Sequence, residues 1–408
     1  MSADEIIAAL PQGARVLVQG AAGESRALAQ AVTRSARTDL SFVGVWLPGV
    51  NSETYGAERG VRVTTFFLTL QLKAARGGVE FLPLGYNDIR AYLQGQRIDA
   101  FMAMVSSPDA NGVCSFGAAV DFIAELWPRI PVRVGHINAR APRTRGHDGI
   151  PRAALTHVIE ADEALAPPPA EREDEVSRAI AAHFAALVSD GATVQAGIGK
   201  LPGACLRALR GKRELRVHSG LIGDWALDLL EAGALANAPI VTGLALGSER
   251  LYGAIDSPRF AFRPVSHTHS LAEMSKLQRF VTLNSALEVD LLGQGYSEAG
   301  AEGLSSGPGG SLDFARGAKL AGGLRVIVQP STAARGAVSR IVPAGAGRRP
   351  VTLSRFDIDV VITEYGAADL RGLSHDARAA RLVAIADPAH RAALSEEWRD
   401  YRARVLKD

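Results

Sequence analysis

Short apolar runs rich in valine and isoleucine alternate along this whole chain with amphipathic helical stretches. That alternation predicts an α/β fold, because buried strands need crossover helices to cover them. Strands are expected at residues 14–20, 42–47, 100–105 and 132–137, and again at 193–197, 281–283, 325–329 and 360–363. The first run enters the turn Ala21-Ala22-Gly23-Glu24-Ser25 and then the helical RALAQAVTRS; the second ends at Pro48-Gly49 and the third at Ser106-Ser107-Pro108.

A chain of 408 residues is long enough for two ordinary cores. The segment 166–174, APPPAERED, predicts a boundary: three prolines exclude helix and the charges stay in solvent. A helix follows, with Val176, Ile180, Phe184, Leu187 and Val188 on one face and Gly191 as its expected C-cap. The domains are therefore placed at 1–175 and 176–408. In the second, Pro202 sits near the start of a helix over 203–209.

Composition excludes several classes of function. Hydrophobic residues at 47% and charged residues at 22% describe a globular protein. The net charge of +2, with no run of five Lys or Arg, leaves no electrostatic footprint for nucleic acid. Asp4, Glu5 and Pro11 do not fit a secretory leader, and a cytoplasmic location is expected. No segment approaches the ~18–20 consecutive apolar residues of a membrane span. Cys114 and Cys205 lie far apart without a ligand cluster, so buried free thiols are expected and no metal site.

Two glycine-dense loops carry candidate chemistry. Gly197-Ile198-Gly199 lies between a strand and a helix, where backbone N–H groups receive an anion. A dinucleotide site needs a third glycine at the position held by Pro202, and an acidic residue at the end of the next strand. Neither is present, and a plain strand-to-helix turn has the same pattern. The second loop, residues 306–314 (SGPGGSLDF), contains Gly309, Gly310 and Asp313. Its glycines allow N–H groups to converge on one oxygen, although a surface loop has the same composition.

Read together and in order, TVQAGIGKLP (193–202), RVHSGLIGD (216–224), LNSALEVDLLGQ (283–294), GGSLDFARG (309–317), SRIVP (339–343) and VITEYGAADLRG (361–372) resemble the acetyl-CoA hydrolase/transferase family, which includes 4-hydroxybutyrate CoA-transferase. VSSPDANGVCSFG (105–117) and NARAPRTRG (138–146) extend the resemblance through the N-terminal half. It implies two similar α/β domains of the CoA-transferase type with a cleft between them, and a cytoplasmic homodimer or higher oligomer. It also implies small carboxylic acids and acyl-CoA as partners. No cofactor is implied, since the CoA thioester is itself a substrate.

In that family a glutamate attacks the thioester, and this chain departs from the pattern at that point. The triplet His218-Ser219-Gly220 has glycine where the family usually has the nucleophile. Removing a nucleophile costs on the order of 10⁶ in rate. Glu53, beyond a strand end and a Pro-Gly turn, is the preferred replacement, although a solvated loop glutamate would read the same. Alternatively water attacks, with His218 as base, and the chain is a hydrolase; or it binds acyl-CoA without turnover. The resemblance gives Gly309-Gly310 to the oxyanion and puts Tyr296 where relatives carry an amide helper. Arg340 is a candidate for a CoA phosphate or a carboxylate, since a guanidinium binds both. Glu364 and Asp369 are expected to fix a turn, and Glu288 and Asp290 to be structural.

Overall fold

The computed structural model describes residues 1–75, 77–168, 173–197, 199–300, 303–345 and 350–407. Part of the proline linker and Ile198 of the glycine turn lie outside the described residues. The chain divides into two compact units. The first comprises Met1–Pro169, Ser219–Asp224 and Pro239–His269, and the second Ala170–His218, Trp225–Ala238 and Ser270–Asp408.

In the first unit seven parallel strands form one sheet: β1 (Arg15–Val18), β2 (Ser41–Gly44), β3 (Arg62–Thr65), β4 (Val79–Phe81), β5 (Ala100–Val105), β6 (Val132–Ile137) and β7 (His157–Glu160). Their order is β4-β3-β2-β1-β5-β6-β7. The order reverses between β1 and β5, and a parallel sheet opens a crevice at its carboxyl edge at such a point. Ser25 caps helix α1 (Arg26–Arg34), its hydroxyl accepting from the Leu28 amide at 3.2 Å. Val16, Val18, Phe42, Trp46, Tyr55, Val63 and Met102 belong to one buried cluster.

In the second unit six strands form one sheet: β8 (Thr193–Ala196), β9 (Arg216–Val217), β10 (Phe280–Ser285), β11 (Leu324–Val328), β12 (Val360–Thr363) and β13 (Gly366–Asp369). Their order is β9-β8-β10-β11-β12-β13, parallel except for the β12–β13 hairpin. This order reverses between β8 and β10. Helix α2 (Glu175–Leu187) starts at a capping box made by Asp174 and Ser177, and buries Ile180 and Phe184. It is capped at Val188; Gly191 lies farther on, in a left-handed turn whose N–H bonds the Arg213 carbonyl at 2.9 Å. Helices α3 (Lys200–Arg207) and α4 (Ser311–Leu320) both begin at the carboxyl edge of the sheet.

The units correct the single cut expected after residue 175. Backbone hydrogen bonding returns two later segments to the first unit. Leu221–Ile222 pairs with Leu244–Ala245, the Ala245 amide bonds the Ala118 carbonyl at 2.8 Å, and the Phe262 amide bonds the Arg145 carbonyl. Both cysteines are buried free thiols, as expected. Among the described residues no helix is long and apolar enough to cross a membrane, and no three His, Cys, Asp or Glu side chains group as a metal site.

Candidate functional site

At the carboxyl edge of the first unit's sheet, the loops leaving β1 and β2 are locked together. A Cβ on Gly20 would sit 1.8 Å from the Val45 carbonyl oxygen, so only glycine permits this approach. Asn51 stitches the loops: its Oδ1 accepts from the Ala21 and Leu47 amides at 3.1 and 2.8 Å. Its Nδ2 donates to the Ala21 carbonyl and, at 2.9 Å, to Glu24 Oε2. The Tyr55 hydroxyl donates to Glu24 Oε1 at 2.7 Å, while its ring packs on Trp46 and Phe42.

Glu24 is 8% exposed. Burial pushes its carboxyl up to about 7, against the hydrogen bonds from Tyr55 and Asn51, and the nearby Glu53 and Glu163 add to the rise. Sequence reasoning missed this residue. The signal was available, because Glu24 follows the first strand just as Glu53 follows the second.

Glu53 is half-buried in the loop after β2. Burial raises its pKa and the Arg26 guanidinium opposes the rise. Arg26 also pairs with Glu163 at 3.2 Å. A carboxylate that is raised yet reachable is more basic than a solvated one and still meets substrate. Gly220 lies in the same unit, its carbonyl accepting from the Gly243 and Leu244 amides at 3.1 and 3.0 Å. Asp121, also in this unit, is a buried carboxyl that burial holds well above the usual range, and its Oδ1 has no hydrogen-bond partner among the described residues.

The remaining candidates belong to the second unit. Gly197 follows β8 and its amide bonds the Leu283 carbonyl at 2.8 Å, at the point where strand order reverses. Gly199, with φ +113°, is the N-cap of α3, and Gly309, with φ +62°, precedes Gly310, the N-cap of α4. Asp313 is in the first turn of α4, where a carboxylate suits the helix dipole. Both glycine turns thus place helix N-termini at the sheet's carboxyl edge, the arrangement that receives anions.

Arg340 is partly buried; burial lowers its pKa and the nearby Glu364 raises it. Glu364 accepts from the Ser331 amide and hydroxyl at 2.9 and 2.7 Å, fixing the turn after β11. Asp369 holds a turn of its own, accepting from the Arg371 amide at 3.1 Å, and pairs with the Arg371 guanidinium at 2.6 Å. His218, 4% exposed, follows β9; its amide bonds the Val194 carbonyl and its ring meets Phe280 edge-on. Tyr296 is 1% exposed and donates to Asp290 Oδ2 at 2.9 Å. Burial first, and then Asp290, hold its phenol far above the usual value. That proton is committed to a core carboxylate, so the geometry lends nothing to the helper role. Asp290 also accepts from the Leu292 and Gln294 amides, as a structural residue does.

Residues 247–398 match the family model for the acetyl-CoA hydrolase/transferase C-terminal domain. The chain is 31% identical to the 4-hydroxybutyrate coenzyme A transferase of Clostridium kluyveri over 98% of its own length and 97% of that protein. It is 34% identical to the succinyl-CoA:cyclohexane-1-carboxylate CoA transferase of Geobacter metallireducens, covering 83% and 80%. Among solved structures, RipA from Yersinia pestis superposes with a TM-score of 0.91 at 28% identity over 98% of this chain and 97% of that one. The 4-hydroxybutyrate CoA-transferase of Porphyromonas gingivalis gives 0.80 at 30% identity over the same shares. Matched along almost its whole length to such a relative, the chain belongs to the acetyl-CoA hydrolase/transferase family.

Proposed function

We propose that this protein is an enzyme that moves CoA between an acyl-CoA and a small mono- or dicarboxylic acid. The observation that carries the reading is the end-to-end match to a 4-hydroxybutyrate CoA-transferase. CoA enters as a substrate, and the chemistry asks only for a carboxylate and for donors to a developing oxyanion.

Glu53 is our choice for the carboxylate, because Gly220 offers no side chain and both oxygens of Glu24 are committed within the core. Its attack on the thioester carbonyl forms a mixed anhydride and releases CoA thiolate. The thiolate attacks the glutamyl carbonyl, giving a glutamyl-CoA thioester and freeing the first acid. The acceptor carboxylate then attacks that thioester, CoA thiolate leaves, and its return to the acceptor's acyl carbon regenerates Glu53. The resemblance gives the Gly309-Gly310 amides to an oxyanion, and the Gly199 amide at the start of α3 and the Arg340 guanidinium are groups that suit the anionic parts of CoA.

Incubation of the full chain with acetyl-, butyryl- or succinyl-CoA and a panel of acids tests the proposal. New CoA esters that depend on the acceptor support transfer. Free CoA formed without acceptor dependence makes the chain a hydrolase, and tight binding without turnover makes it a binder. Borohydride reduction of the enzyme–CoA thioester followed by peptide mapping locates the carboxylate. A trapped residue other than Glu53 overturns that assignment.

A further inference from the structure

Glu53 occupies a loop that has one polar anchor on each side, and both converge on a single buried carboxyl. Asn51, two residues before it, and Tyr55, two residues after it, each hydrogen-bond a different oxygen of Glu24, at 2.9 and 2.7 Å. We propose that Glu24 is a positioning residue: it holds the Glu53 loop in place and keeps this edge of the unit free of a second negative charge, so that an anionic acceptor acid can approach Glu53. The inference rests on the reading of Glu53 as the residue that carries CoA.

The charges around it give the idea its sign. Glu53 and Glu163 are the carboxylates that act on Glu24; Arg26 acts on Glu53 and pairs with Glu163. His136, on β6, bonds Ser25 at 2.8 Å and the Ala161 carbonyl at 2.9 Å. With Glu24 neutral, Arg26 faces Glu53 and Glu163 alone. Ionising Glu24 adds an anion in a poorly solvated position, where unit charges a few ångströms apart repel strongly. The acceptor acid carries the same sign and meets that repulsion. The transition falls near neutral pH, where burial places the Glu24 proton.

Glu24→Gln separates charge from geometry. A glutamine amide donates to the Tyr55 oxygen and accepts from Asn51 Nδ2, so both anchors survive with the phenol reversed. In the wild-type enzyme the KM for the acceptor acid is expected to rise about three- to tenfold as pH passes from 6 to 8, with kcat changing little. In E24Q it stays flat across that range, whereas Glu24→Ala, which frees the loop, loses kcat at every pH. A wild-type infrared band of a protonated carboxyl, absent from E24Q and fading as pH passes 7, reports the proton directly and independently of turnover. If that band is missing at pH 6, or if E24Q keeps the wild-type pH dependence of KM while Glu53→Gln abolishes transfer, the role of Glu24 is overturned. If E53Q transfers CoA normally, the Glu53 reading fails first and the inference falls with it.

Discussion

The Tyr296 hydroxyl donates to Asp290 Oδ2 at 2.9 Å within the second unit, and the Gln294 side-chain amide donates to that same oxygen, also at 2.9 Å. Replacing Tyr296 with phenylalanine therefore removes one of several donors to a buried carboxylate. A loss of about 1–2 kcal/mol in unfolding free energy is expected, with transfer activity within a few-fold of wild type. Denaturant midpoints and initial rates check this together. A hundredfold fall in kcat at unchanged stability would restore the phenol to catalysis.

The raised carboxyl of Glu24 makes stability depend on pH. Its pKa is about 7 in the fold against an ordinary 4.5, so the folded state binds this proton more tightly than the unfolded one. The stabilisation is present below the unfolded value and lost as pH climbs to about 7. Glu24→Gln carries no such proton. E24Q is expected to gain on wild type between pH 5 and 8, by on the order of 3 kcal/mol at most. Urea midpoints measured across that range test the sign; a constant difference contradicts it.

Arg325, on β11, and Asp359, just before β12, form a pair with side chains 13% and 5% exposed. Asp359 Oδ2 also accepts from the Arg325 amide at 3.0 Å and from its Nε at 2.8 Å. Arg325→Met leaves that carboxylate buried without its cation, which costs about 3–5 kcal/mol. Exchanging both partners for apolar residues is expected to cost less than the single change. Thermal denaturation of the single and double variants gives the comparison.

Gly220 brings no side chain to its place just before the short strand Leu221–Ile222. Glu53→Gln is expected to lower transfer by at least about a thousandfold. Adding Gly220→Glu to E53Q supplies a carboxylate at the position that the resemblance gives to the nucleophile and is expected to recover measurable transfer. Borohydride trapping should then move to residue 220. Trapping that stays elsewhere would show that position 220 does not meet the thioester.

Much of the fold was legible along the chain. The runs at 100–105, 132–137 and 360–363 form strands at those same bounds, and the other expected strands differ by a few residues at their ends. Such runs are read correctly because burial on both faces of a parallel sheet leaves a continuous apolar signature. The glycine turns before α3 and α4 were visible for a similar local reason: positive φ and a helix start both favour particular residues. The motif order that marks the family is likewise a property of the sequence.

Three features were decided only by tertiary structure. Glu24 meets Asn51 and Tyr55, which lie 27 and 31 residues further along, and only that meeting turns an ordinary loop glutamate into a buried acid. Tyr296 looks like a free donor in sequence until Asp290 claims its proton across a hairpin. The segments 219–224 and 239–269 return to the first unit because their backbone groups find partners there. Local pattern determines which residues form strands and turns, since it depends on near neighbours. Burial, and with it the charge state of a carboxyl, depends on what distant segments bring, and no local pattern contains that.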